Sequence, residues 1–180
     1  MIEPDKYWVA AGHKIDDISN TRDVITFSWT GKQSEDYILL SESFYAAAEI
    51  IANEIINDYR DNFKSEQWFF PSFYVDRQPI ELLFNGLLIS VVPRKDITGK
   101  LTTYKHNIID LFNEYCSISP SVPLNNAEMT WLQAYLCELE PIDRASNLFR
   151  HPIKDGYLEQ YNDSFLHIVD MAHAPDQCYS

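Results

Sequence analysis

The chain holds 180 residues, with 14 Lys+Arg against 27 Asp+Glu for a net charge of −13, and 46% of it is hydrophobic. That apolar share suits a folded chain and excludes a disordered one, and the length fits one domain, or one domain with an appendage, whose core needs neither metal nor disulfide. The acidity excludes general electrostatic capture of nucleic acid or of an anionic membrane and leaves room only for local basic sites.

Three cysteines, Cys116, Cys137 and Cys178, lie far apart, with no CxxC pair and no zinc-ligand spacing. Their odd number points to a reducing compartment. No apolar run approaches the ~18 residues of a membrane helix. Met1-Ile2-Glu3-Pro4-Asp5-Lys6 lacks the basic-then-apolar order of a signal peptide. The expectation is a cytoplasmic protein with no metal and no cofactor.

In chain order, residues 1–40 form an irregular segment. Ile25, Phe27 and Trp29 alternate with polar neighbours, a strand pattern. Thr30-Gly31 reads as a turn, and Tyr37 to Leu40 as a return strand or the start of the first helix. A helical domain follows over 41–174, then a tail over 175–180. Phe44, Ala47, Ala48, Ile51, Ile55 and Tyr59 share one helical stripe, with Ser41 or Ser43 as the cap. The aromatic run over 62–75 reads as a packed connection between helices rather than a base-stacking platform, because such platforms sit in basic grooves.

The next helix is expected over 76–92, with Asp76 as N-cap and Pro79 in the first turn. Its core-facing residues would be Ile80, Leu83, Phe84, Leu87 and Leu88, with Leu83 and Leu87 nearly fully buried. Gly86 would allow close approach of a neighbouring helix. Residues 93–103 read as a polar loop carrying Arg94, Lys95 and Lys100, the nearest thing to a basic patch. Helices are expected again over 104–115, with Ile108, Leu111, Phe112 and Tyr115 inward, and over 127–140, capped by Asn126 and buried through Met129, Leu132, Leu136 and Leu139. A short turn capped by Asp143 and a last helix near 162–172 complete the chain. The fold class is mainly α, an up-and-down helical bundle with a short N-terminal β-hairpin as the one variation.

Catalytic motifs are scarce. There is no HExxH, no GxxxxGK(S/T), no GxGxxG and no GxSxG. Glu138 and Glu140 read as solvated carboxylates. Cys116 would be reactive only if its thiolate were stabilised, and burial is the simpler account. Two pairs stand at i, i+4 spacing: Arg77 with Glu81, and His106 with Asp110. They are expected to converge as a structural or binding cluster, on antiparallel helices joined by a short loop.

Asp76-Arg77-Gln78-Pro79-Ile80-Glu81-Leu82-Leu83-Phe84-Asn85-Gly86-Leu87-Leu88 and His106-Asn107-Ile108-Ile109-Asp110-Leu111-Phe112 together resemble HEPN-type helical domains. A third stretch, Asp143-Arg144-Ala145-Ser146-Asn147-Leu148-Phe149-Arg150-His151-Pro152, resembles one found in HEPN-like proteins of unknown function. The resemblance spans about residues 41–172. It departs at Asn85, where the family usually has Lys, and at His151, which stands in the place of Tyr.

The resemblance implies an interaction or regulatory protein of bacterial stress or phage defence, acting as a homodimer or with a protein partner. It implies a second reading, a metal-independent endoribonuclease whose Arg-x(4–6)-His motif would be Arg144 and His151. There Arg144 would hold the scissile phosphate and His151 would move protons. RNA would then be admitted by Arg94, Lys95, Lys100, Lys105, Arg150 and Lys154. Against it, Arg150 would serve as an anchor to a carboxylate. A third reading is a helical bundle that binds a small molecule or nucleotide. The reading favoured here is the non-enzymatic one.

Overall fold

The computed structural model describes residues 29–57, 62–119 and 125–142. Among them are five helices and no strand: α1 (Gln33–Asn57), α2 (Asn62–Val91), α3 (Arg94–Tyr104), α4 (Ile108–Ile118) and α5 (Asn126–Leu139). The chain is thus a mainly α helical bundle. Of the expected hairpin, Tyr37 to Leu40 are helical, so no return strand exists there, while Ile25 and Phe27 lie outside the described residues, as does everything beyond residue 142. Among the described residues no helix is long and apolar enough to cross a membrane.

The start of α1 is set by Thr30 and Asp36 rather than by Ser41 or Ser43. Asp36 Oδ1 accepts from the Thr30 backbone N–H at 2.7 Å and from its hydroxyl at 2.9 Å. The turn before it uses Gly31 at φ 79°, a region glycine enters without steric cost. Ser41 instead lies fully buried in mid-helix and donates to the Pro79 carbonyl at 2.7 Å.

That bond, and the approach of Gly86 to Ser34, Tyr37 and Ile38, run α1 and α2 in opposite senses. A Cβ at Gly86 would stand 2.9 Å from Ile38 Cγ1 and 3.1 Å from the Ser34 carbonyl oxygen, so the helices meet there almost backbone to backbone. The expectation for Gly86 holds.

Helix α2 begins at Asn62, not Asp76, and runs through both Pro71 and Pro79. An interior proline removes one helical hydrogen bond and costs about 3 kcal/mol in isolation. Around Pro79 that cost is offset by burial, since Phe73, Arg77, Ile80, Phe84 and Leu88 form a continuous buried stripe on either side of it. This stripe also corrects the expectation for Leu83 and Leu87, which are only half-buried. The inward face is centred on Arg77, Glu81, Phe84 and Leu88, so two charged residues occupy positions that a purely apolar reading gives to leucines.

Residues expected as a polar loop form helix α3. Pro93 precedes it, its carbonyl accepting from Asp96 and Ile97 at 2.8 and 3.2 Å. Ile97, one turn before the half-buried Leu101, joins the core. Asp96 adds a negative charge in the first turn, where the helix dipole favours it. The insertion of α3 reverses the expected relation between its neighbours. Contacts advance in the same sense along α2 and α4, from Arg77 and Glu81 against His106 to Phe84 against Phe112, whose rings meet edge-on at 5.6 Å. Helix α5 runs opposite to α4, its end meeting the start of α4. Its cap is Asn125 rather than Asn126, in a reciprocal box with Glu128.

Candidate functional site

The charged residues of the α2 stripe assemble with the turn before α4 and the end of α5. Arg77 is 0% exposed. Its Nη1 donates to Glu81 Oε2 at 3.0 Å, one helical turn on. Its Nη2 donates to the His106 carbonyl and lies 3.5 Å from Glu140 Oε2. The same Glu140 oxygen accepts from the Ile108 N–H at 3.1 Å, the first amide of α4. A negative charge at that end is favoured, because the first-turn amides have no partners inside the helix.

His106 closes the outer side. Its Nδ1 lies 2.8 Å from Glu81 Oε1. A carboxylate only accepts, so Nδ1 carries the proton. The His106 carbonyl is turned inward by Lys105, which holds φ at 50°, an uncommon value for a residue with a side chain. One arginine therefore lies between two buried carboxylates, with a backbone carbonyl and an imidazole completing the ring of partners. Its guanidinium occupies the space a bound cation would need, so the group is a closed, charge-paired joint between α2, α4 and α5. Among the described residues no three His, Cys, Asp or Glu side chains gather as a metal-ligand set.

Of the expected cluster, Arg77, Glu81 and His106 come together and Asp110 does not. Asp110 is exposed, and its backbone N–H donates to the Asn107 cap at 3.0 Å. Glu140 takes the place expected for it beside Arg77 and is 4% exposed, which overturns its reading as a solvated carboxylate. The sequence did hold a signal for it: Glu140 lies four residues after Leu136, in phase with the apolar stripe of α5. Arg144, His151 and Arg150 lie outside the described residues, as does Lys154.

The basic residues of α3 do not form one patch. Arg94 and Lys95 are exposed, whereas Lys100 pairs with Glu114, which also accepts from the Tyr104 hydroxyl at 2.7 Å. These bonds from Lys100 and Tyr104 hold the Glu114 carboxyl below its ordinary range. Cys116 is half-buried, and burial pushes its thiol up, away from the reactive thiolate.

A second feature lies on the opposite side of α1 from the core. Leu39, Ser43, Ala46 and Ile50 recur at helical spacing and are all exposed, Leu39 by 42% and Ile50 by 67%. Trp29, 56% exposed, stands beside them, and with Leu39, Leu40, Glu42, Ser43 and Ala46 it lines a shallow groove. No family model, curated protein or solved structure matches the chain.

Proposed function

We propose that the protein is a HEPN-like interaction or regulatory module rather than an enzyme. The observation that carries this reading is the outer face of α1, where exposed Leu39 and Ile50 end a row whose middle is Ser43 and Ala46, and exposed Trp29 lines a shallow groove with Leu39, Ser43 and Ala46. The polar cluster supports it from the other side. Its buried charges, Arg77, Glu81 and Glu140, are engaged with one another and with the amide and carbonyl groups at the start of α4. The arrangement suits a rigid frame that presents a surface.

The test sets this reading against the endoribonuclease. Wild-type protein, Arg144→Ala and His151→Ala are incubated with single-stranded and hairpin RNA, and each protein's melting temperature is measured. The expected result is no cleavage by any of the three. RNA cleavage by the wild type that both substitutions abolish without a fall in melting temperature would replace the interaction reading with the catalytic one.

A further inference from the structure

Helix α1 has two faces of opposite kind. Ser41, Ala48, Ala52 and Ile55 are buried against the bundle. Turned away from them, Leu39, Ser43, Ala46 and Ile50 follow one another at i, i+4, i+7 and i+11. This row is about 16 Å long, three turns of helix. Its middle residues are small and its ends large, so it is concave along its length. Trp29 forms one wall, held in place through Thr30, whose backbone and hydroxyl both bond Asp36.

The rim decides what fits. Glu42 and Glu49 stand exposed along one side of the row. Between Gln33 and Asn57 there is no Lys or Arg. Lys32, just before the helix, is paired with Glu35 at 2.7 Å. A second copy of α1 laid on this face would bring an all-negative rim against another. An anionic membrane would be repelled by it, since helices that lie on such membranes carry Lys and Arg beside their apolar face. A row edged by Glu42 and Glu49 is instead complementary to an amphipathic helix whose own apolar face is edged with Lys or Arg.

We propose that the outer face of α1 docks a basic-rimmed amphipathic helix of a partner protein, the groove beside Trp29 taking one large apolar side chain. This rests on the interaction reading above and names the class of partner.

Two designed helical peptides of three to four turns serve as probes. Both have a leucine face, one edged with Lys and the other with Glu. Labelled peptide is titrated with the full chain and followed by fluorescence anisotropy, with Trp29→Phe identifying any change in the protein's own emission. The Lys-edged peptide should bind saturably and the Glu-edged one should not.

Ala46→Glu should weaken binding by about tenfold or more, the scale of a central interface residue, although it makes the protein more acidic. Unchanged or tighter binding to Ala46→Glu would show mere attraction to a negative chain and overturn the proposal. The double variant Glu42→Lys with Glu49→Lys should exchange the preference toward the Glu-edged peptide; an unaltered preference would also overturn it. A wild-type dimer that Ala46→Glu dissociates would assign the face to a second copy, sinking the basic-helix partner while the interaction reading stands. Binding of neither peptide by a monomeric chain sinks the groove proposal alone, because the enzymatic alternative is decided separately by RNA cleavage.

Discussion

Arg77 shows how a charged residue earns a place in a core. Fully buried, it meets Glu81, Glu140 and the His106 carbonyl at once. Removing it leaves two carboxylates facing each other without a cation. Arg77→Ala is therefore expected to destabilise the chain by about 3–5 kcal/mol, as for other broken buried pairs. Arg77→Lys keeps the charge but not the planar fork and should recover only part of the loss. Urea unfolding of the two variants checks this, and a loss under about 1 kcal/mol for the alanine would show that the cluster is not a joint. The Arg77–Glu81 pair was legible from i, i+4 spacing, and His106 from its own motif. For Glu140 only its inward phase after Leu136 was legible, not its meeting with Arg77, because that contact spans 63 residues and a single sequence carries no record of it.

At the level of elements, the apolar periodicity of α4 and α5 was enough to find both helices, although α4 starts at Ile108 rather than at 104 and the cap of α5 is Asn125 rather than Asn126. Two features hid the rest. Prolines at 71 and 79 read as helix boundaries, and only burial on both sides of Pro79 carries α2 through it. Helix α3 has few inward anchors, buried Ile97 with half-buried Leu101 and Tyr104, and they do not stand out as a stripe among its charges. Gly86 was read correctly, and its role can be measured. Alanine there gains about 1 kcal/mol of helix propensity. Its methyl, however, meets a backbone oxygen and Tyr37 Cβ at 3.1 and 3.2 Å, atoms that no rotamer change moves aside. Overpacking of this kind costs about 1–3 kcal/mol. Gly86→Ala should lower stability by about 1 kcal/mol in a thermal or urea melt; a more stable variant would mean that α1 yields freely.

For the whole molecule, pH acts through one group in particular. Asp76 is 6% exposed, and desolvation raises its pKa from 3.8 to about 7. The folded chain thus holds a proton that the unfolded chain has released. Stability falls as pH rises from about 4 to about 7, and above that the penalty is complete. Three pKa units correspond to about 4 kcal/mol as an upper scale. Asp76→Asn never ionises, so it should match the wild type near pH 4 and exceed it by up to that amount at pH 8. Urea midpoints at the two values provide the comparison, and parallel pH dependence of the two proteins would rule Asp76 out as the cause. The acidic composition was visible in the sequence, but not which carboxylates it buries.

The reach of Glu140 to Arg77 also orders events in time. The α1–α2 hairpin closes over a shorter stretch of chain, its Ser41–Pro79 bond spanning 38 residues. Glu81, on the same helix, partners Arg77 as soon as that turn forms. Glu140 is expected to arrive after α3, α4 and α5 have formed, because closing a longer loop costs more entropy. Contacts made late leave the speed of folding nearly untouched and act on how long the native state survives. The part of the Arg77→Ala deficit that belongs to Glu140 should accordingly appear as faster unfolding. The end of α5 works as a latch on the finished bundle.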